Sequence, residues 1–280
     1  MECTLCSSTQ YKKRMGSVRD NKDLDIYECC DCGLVFLSNH DHIDEEFYKE
    51  SNMHPVIDFE KWKIDTIKDD KRRFDFVSNI IMNKSVLDFG SGNAGFLSYA
   101  KEVTKYACGV ELEKAVKDYY EMQRIDLFSK MDDIKSKFDV ITSFHVLEHL
   151  QDPLKILKQM KTKLNTEGKI IVEVPNANDA LLSIYENDAF SNFTYWSCHL
   201  YLYTDFTLRL LAKKADLKVD FVKHIQRYPL SNHLHWLSKG KPGGDKIWGS
   251  FIDSGELNTA YENQLASVGA TDTLLVQFSK

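Results

Sequence analysis

The chain has 280 residues with 43% hydrophobic and 12% aromatic content, enough for one large domain or one domain with small additions. Its 36 Lys and Arg against 42 Asp and Glu leave a formal net charge of -6, which argues against a general nucleic-acid binder, although a local basic groove would escape that argument. No apolar run approaches the ~20 residues of a membrane helix and MECTLCSST lacks a signal pattern, so a cytoplasmic protein without membrane or nucleic-acid partners is expected.

Seven cysteines at uneven spacing point to a reducing compartment and to metal binding or burial rather than disulfides. Cys3, Cys6, Cys29 and Cys32 form two C-x-x-C pairs on either side of turn-rich, charged sequence. Two such knuckles present four thiolates to one tetrahedral ion, a structural Zn2+ site. A thioredoxin-like redox motif would need a strand-helix context that the extreme N-terminus does not supply. Cys30, Cys108 and Cys198 are then spare. Residues 1–40 hold five Lys or Arg against six Asp or Glu, and Asp44, Glu45 and Glu46 add an acidic run. Such a ribbon repels a phosphate backbone. Residues 1–60 are expected to form a zinc ribbon and linker.

From about residue 70 the pattern alternates helix and strand. A helix in DDKRRFDFVSNII leads to the strand SVLDFG; then come the helix AGFLSYAKEV, the strand YACGVEL, the helix KAVKDYYEM and a short strand near DLFSKM. FDVITSF is the next strand, followed by a helix from Pro153, the strand GKIIVEVP, a long loop, the helix TDFTLRLLAKKA and the strand LKVDFVKHI. TDTLLVQF is the last strand. This alternation predicts an α/β fold, a doubly wound, mostly parallel sheet covered on both faces. Residues 226–271 then form an inserted segment between the last two strands.

GSGNAG at 90–95 follows a strand and opens a helix, matching G-x-G-x-x-G. Alone it fits NAD as well as another nucleotide cofactor. Asp88 sits two residues before Gly90, where it can accept hydrogen bonds from a cationic amine, as in S-adenosylmethionine. Gly92 permits close backbone approach, and Glu111, 21 residues after Gly90, is placed to take ribose hydroxyls. Asp88 weighs against the NAD-dependent oxidoreductase.

VLDFGSGNAGF, GVEL, FDVITSFHVLEHLQDP and LNTEGKIIVEVPN, in that order, resemble the successive motifs of class I S-adenosylmethionine-dependent methyltransferases. Ala94 departs from the third glycine of many members, with Gly95 following it. The four-cysteine ribbon resembles that of sugar C-methyltransferases acting on nucleotide-linked deoxysugars. The chain with its tail is more similar to methyltransferases of bacterial capsule and lipopolysaccharide gene clusters. The resemblance implies a Rossmann-like methyltransferase domain over 61–280, with a seven-stranded sheet. It also implies S-adenosylmethionine as cofactor, held by Asp88, Gly90, Gly92, Glu111, Leu112, Asp132, Phe144 and His145.

HVLEHL places His145, Glu148 and His149 just past a strand's carboxyl end, at the edge where open α/β sheets bind ligands. Some family members bind a divalent metal through a similar acidic-x-x-Glu-His motif; histidine in the first position departs from it, and a helix-start hydrogen-bond network is the alternative. His145 is the first candidate for a general base, with His149 beside it. In TYWSCHLYLYT, Tyr195 and Tyr201 are candidates for an acceptor wall and packing is the alternative; the resemblance singles out His199 as a third catalytic candidate.

QRYPLSNHLHWLSKGKPGG gathers Arg227, Tyr228, His233, His235 and Lys239 where the chain leaves the sheet at the cofactor edge. Over residues 226–250, Arg227, Lys239, Lys241 and Lys246 oppose only Asp245. The segment reads as a lid over a small anionic acceptor, a sugar nucleotide or phosphorylated sugar methylated on a hydroxyl. C- or N-methylation, or a binding module without turnover, are the alternatives; oligomeric state stays open.

Overall fold

The computed structural model describes residues 2–43, 47 and 59–280; Asp44, Glu45, Glu46 and most of the expected linker lie outside the described residues. The N-terminal part folds as three short antiparallel strands, β1 (Tyr11–Lys13), β2 (Ile26–Cys29) and β3 (Val35–Leu37). Helix α1 (Phe59–Ile81) leads to β4 (Ser85–Phe89), α2 (Gly95–Ala100), β5 (Tyr106–Val110), α3 (Lys117–Gln123) and β6 (Asp126–Phe128). Next come β7 (Phe138–Phe144), α4 (Pro153–Lys163) and β8 (Leu164–Pro175). A long connection holds α5 (Ala180–Ser183), α6 (Asp188–Thr194) and β9 (Tyr201–Leu202), followed by α7 (Asp205–Lys214) and β10 (Lys218–Ile225). Residues 226–271 fold as α8 (Leu230–Lys239), α9 (Gly244–Ile252) and α10 (Gly255–Ser267) before β11 (Thr273–Ser279).

Among the described residues seven strands form one sheet in the order β10-β11-β8-β7-β4-β5-β6, parallel except for β11. The inner strands are apolar on both faces because both are covered: Val86, Leu87, Ile170, Ile171 and Val172 are all fully buried. The chain runs outward from β4 to β6 and then crosses back to lay β7 against β4. That reversal opens a crevice at the carboxyl ends of β4 and β7, the place where such sheets bind ligands. Helix starts follow local chemistry. Asp152 accepts from the Lys155 amide ahead of Pro153, and Thr204 and Thr207 cap α7 reciprocally.

The expected elements are present, with several differences: the expected long loop after β8 holds α5, α6 and β9, and α1 begins at Phe59, about ten residues before the expected helix. Helix α2 has six residues, because the chain enters it through Ala94 in the left-handed region and leaves by turns after Lys101. Strand β8 starts at Leu164, where it pairs with Phe138 ahead of a register shift in β7. The insert is helical, and its signals were present: Pro229 precedes α8 and Gly240 closes it with φ +64°. Helix α9 backs tightly onto α8 at Gly244, where a Cβ would lie 2.1 Å from the Ser231 carbonyl oxygen.

The N-terminal sheet is not self-contained. Strand β9 pairs antiparallel with β3, giving the order β1-β2-β3-β9, and Tyr203 bridges on to Asn176 beyond β8. Leu34, Val35 and Phe36 share one buried cluster with Ile141, Leu147, Leu200 and Tyr201. Burial thus joins the ribbon to the loop that follows β8.

Candidate functional site

The turn after β4 is held by backbone bonds: the Gly90 and Ser91 amides donate to the Val110 carbonyl at 2.8 and 3.2 Å. Gly90 has φ +72°, and a Cβ there would lie 2.3 Å from Val146, so no other residue fits. Glu111 folds its carboxylate onto the same turn. It accepts from the amide of Gly92 at 2.8 Å, of Leu112 at 2.7 Å and of Glu113 at 3.0 Å. Asp88 is buried and accepts from Thr142 Oγ1 at 2.7 Å. Burial pushes its carboxyl up to about 7, against the lowering by the Thr142 bond and the charge of Arg73. A neighbouring cation would offset that burial.

Phe144 packs edge-on to Phe96 with ring centroids 5.0 Å apart, and the Arg73 guanidinium lies 5.1 Å over its ring. Leu112 is exposed beyond β5, and Asp132 is exposed on the short turn after β6. Helix α1 covers the glycine turn from the other side, with Trp62 3.2 Å from where a Cβ of Gly92 would stand. The candidate cofactor residues thus lie on consecutive turns along one edge.

His145, with φ +56°, is the first residue past β7, and its amide donates to the Glu173 carbonyl at 2.8 Å. Its ring is enclosed. Nδ1 lies 3.1 Å from Glu148 Oε1, and Nε2 lies 3.3 Å from Glu173 Oε1 and 3.1 Å from Arg227 Nη1. Glu173 is fully buried and takes hydrogen bonds from Arg72 at 2.8 and 3.0 Å and from Arg73 Nε at 2.9 Å. Burial pushes the Glu173 carboxyl up, but His145, Arg73 and Arg72 outweigh it and hold it well below the carboxylate range. Glu148 behaves alike: burial raises it, while the bond and charge of His145 with the charges of His149 and His199 hold it at about 2. Both ring nitrogens therefore already face charged partners, Nδ1 against Glu148 and Nε2 between Glu173 and Arg227.

His149 and His199 meet edge to face, with centroids 4.9 Å apart. Burial lowers His149, and lowers His199 to about 3. Their segment is pinned by the ribbon. Asp20 accepts from the Ser197 amide at 2.9 Å and from its hydroxyl at 2.8 Å, His42 Nε2 donates to the Ser197 carbonyl at 2.7 Å, and the Arg19 guanidinium lies 3.1 Å over the Trp196 ring. The Leu200 amide donates to the Glu148 carbonyl at 2.8 Å.

Several expected acceptor residues face inward. Tyr195 and Tyr201 are buried where ribbon and loop join, Tyr201 donating to the Gln151 carbonyl at 3.3 Å, so packing rather than an open wall accounts for them. His233 is 2% exposed and lies between Gln226 Nε2 at 3.1 Å and the Tyr261 hydroxyl at 2.7 Å. His235 donates to the Lys241 carbonyl at 2.7 Å and packs on Trp248. Arg227 is paired with Asp69 of α1 through Nε at 3.1 Å and through Nη2. Tyr228 and Lys239 are exposed. Asp272 fixes the exit from β10 by accepting from the amides of Arg227 at 2.9 Å and Tyr228 at 3.0 Å.

At the N-terminus, Cys3 and Cys32 Sγ are 3.6 Å apart, Cys6 and Cys29 Sγ 3.4 Å, and all four lie within 4.8 Å of one another. This donor set fits a tetrahedral zinc ion. The sequence reading missed Asp69, Arg72, Arg73 and Glu173. Its available signal was a single glutamate within the apolar run IIVEV, which burial obliges to find cations.

A doubly wound sheet of this strand order, with a glycine turn flanked by a buried aspartate and an acid ending the next strand, defines a Rossmann-like methyltransferase fold. Residues 67–221, more than half of the chain, match the family model described as Methyltransferase domain, and the chain belongs to that family. It is 30% identical over 162 residues to the tRNA U34 carboxymethyltransferase of Campylobacter concisus, covering 49% of this chain and 55% of that protein. It is 29% identical over 111 residues to a ubiquinone biosynthesis O-methyltransferase of Coxiella burnetii, covering 35% and 46%. The chain spans about half the length of the curated relatives it matches. A S-adenosylmethionine-dependent methyltransferase of Thermotoga maritima, described as a possible histamine N-methyltransferase, superposes with a TM-score of 0.50 at 16% identity, covering 79% of this chain and 94% of that one. At that identity the likeness concerns the fold.

Proposed function

We propose that this chain transfers the methyl group of S-adenosylmethionine to a hydroxyl of a small anionic acceptor, a nucleotide-linked or phosphorylated sugar of the kind used to build surface glycans. The observation that supports the cofactor is the pairing of Asp88 with the glycine turn and Glu111. A buried carboxylate pushed up to about 7 gains most from a cationic partner, and the cofactor's amine supplies one. Glu111, already holding Gly92, is poised to exchange that amide for ribose hydroxyls.

In the transfer the acceptor oxygen attacks the methyl carbon in line, the carbon–sulfur bond breaks, and its electron pair returns to sulfur, leaving S-adenosylhomocysteine. The hydroxyl proton passes to His145 Nε2. Arg227 is the switch in this reading: an acceptor phosphate draws its guanidinium away from Asp69 and His145, which opens one side of Nε2 and leaves Glu173 to stabilise the ring once it is protonated. Lys239, Lys241 and Lys246 on the insert supply further positive charge. Support for a sugar acceptor comes from the resemblance of the ribbon, and support for oxygen from the O-methyltransferase relative. The acidic chain disfavours a polyanion such as tRNA. The fold surrounding four cysteines within 4.8 Å supports a structural zinc ion in the ribbon.

Calorimetric titration with S-adenosylhomocysteine and with NAD is the direct test. Micromolar binding of the first alone is expected, and binding of NAD alone would overturn the cofactor assignment. Transfer of labelled methyl to a panel of sugar nucleotides and sugar phosphates tests the acceptor. Labelling of tRNA and of none of these would replace it.

A further inference from the structure

The second cluster of metal-ligating side chains lies at the acceptor end of the site. One ligand atom from each of His149, Cys198 and His199 lies within 4.8 Å of the others. The trio brings together two segments 49 residues apart, the turn after β7 and the loop after β8. Both segments are fixed before any ion arrives, by the Leu200–Glu148 backbone bond and by Asp20 and His42 on Ser197.

A hydrogen-bond network at a helix start would satisfy its own polar atoms, and this cluster does not. Among the described residues, His199 Nδ1 is buried without a hydrogen-bond partner, and so is Glu148 Oε2 beside it. Buried polar atoms are nearly always paired, so these two ask for a group the chain does not supply. His149 Nδ1 donates to the Cys198 carbonyl at 2.8 Å, the kind of second bond that orients metal-binding imidazoles. The carbonyl that orients one ligand thus belongs to the residue whose thiol is another.

We propose that His149, Cys198 and His199 bind a divalent transition-metal ion, zinc by preference, separate from the four-cysteine ribbon. One thiolate and two imidazoles suit zinc and exclude magnesium, which requires oxygen ligands. Charge also balances. A thiolate with two neutral imidazoles leaves a divalent ion one positive charge in excess, and Glu148, fully buried and next in the chain to His149, supplies a carboxylate that can offset it. Three protein ligands leave the fourth tetrahedral position for water or an acceptor oxygen, the donor count of sites that keep an open position. The ion would stand one side chain from His145, because Glu148 contacts that ring at 3.1 Å. This proposal stands whether or not the methyl-transfer reading holds.

Metal analysis of the purified chain after expression with added zinc and exhaustive dialysis is the test. About two zinc ions per chain are expected for the wild type. Cys198→Ser and His199→Ala should each lose one and keep the ribbon's, and Cys3→Ser with Cys32→Ser should lose the other. Cobalt substitution reads the same question by the ligands' spectrum rather than by metal count. A wild-type chain with both sites filled should show a thiolate-to-cobalt band that weakens by about one fifth, one thiolate in five, in Cys198→Ser. Wild-type zinc of about one per chain, unchanged in Cys198→Ser and His199→Ala, would overturn the second site. One zinc that survives the ribbon mutations but is lost in His199→Ala would uphold it and remove the ribbon site.

Discussion

Two halves of the same sheet edge are held by different means. At the cofactor half the partners sit on adjacent strands: Asp88 meets Thr142 across the β4–β7 pairing, and the turn amides meet Val110 at the end of β5. At the acceptor half the partners are far apart in sequence and charged. Arg227 reaches Asp69 across 158 residues, and Asp20 reaches Ser197 across 177. Strand register sets the polar contacts of the first half, with α1 packed over them. The second exists only once the ribbon, α1 and the insert have all docked, so damage to distant segments should reach the acceptor before it reaches the cofactor.

The ribbon offers the strongest way to break that contrast. Replacing Cys3 and Cys32 by Ser removes two of the four proposed zinc ligands, and metal loss belongs with the large single-site effects, here taken as roughly 3 kcal/mol. For a chain of this size that lowers Tm by about 6–12 °C, measurable by calorimetry. Because Arg19, Asp20 and His42 hold the 194–204 loop, the acceptor KM should rise while S-adenosylhomocysteine affinity changes by less than about threefold. Equal losses at both ligands would mean that the halves are not separable. The reciprocal change is local: Asp88→Ala or Glu111→Ala should weaken S-adenosylhomocysteine binding about 10- to 100-fold, the range for a hydrogen bond to a charged group, with little change in Tm. Unchanged affinity in both would sink the cofactor assignment.

The same contrast governs what could be read from the sequence. The turn that carries Asp88, Gly90, Gly92 and Glu111 was legible because its geometry depends on position within a strand-turn-helix unit a few residues long. The mostly parallel seven-stranded sheet followed from alternation together with family motifs. Arg227 was legible as a cation but not as the partner of Asp69, since nothing local ties the two. Tyr195, Tyr201, His233 and His235 share the same difficulty. An aromatic or imidazole in an irregular segment looks the same whether it faces a ligand or packs inward, and only tertiary burial decides. Cys198 looked spare because His149, which the fold brings beside it, lies 49 residues away.

The Arg227–Asp69 pair sharpens the comparison at smaller scale. Both side chains are about a quarter exposed, 22% and 23%, so the pair stands between a surface bridge and a buried one. Arg227→Ala should cost about 1–3 kcal/mol, and the double-mutant cycle with Asp69→Ala should return a coupling of about 1 kcal/mol. If Arg227 also meets the acceptor, its KM rises in Arg227→Ala but not in Asp69→Ala. A rise in both alike would make the arginine only a strut for the insert.

The smallest effect concerns pH and belongs to the cofactor half. Asp88 titrates at about 7 in the folded chain, because burial disfavours its charge, against about 3.9 when unfolded. Its folded pKa is raised, so the folded chain binds the extra proton between those values and stability falls as pH rises from about 4 to 7, then levels. Cofactor binding runs the other way. A cationic amine beside the carboxylate needs it ionised, so binding below pH 7 must release a proton and affinity must climb as pH rises towards 7. Titration of S-adenosylhomocysteine in buffers of different ionisation enthalpy reads that proton directly. At pH 6 about one proton should leave per ligand bound, falling towards zero by pH 8. Asp88→Asn should abolish the release, whereas Glu111→Gln, on the same edge but with its carboxylate already on three backbone amides, should keep it. Release that persists in Asp88→Asn would assign the proton elsewhere and leave the amine without its proposed partner.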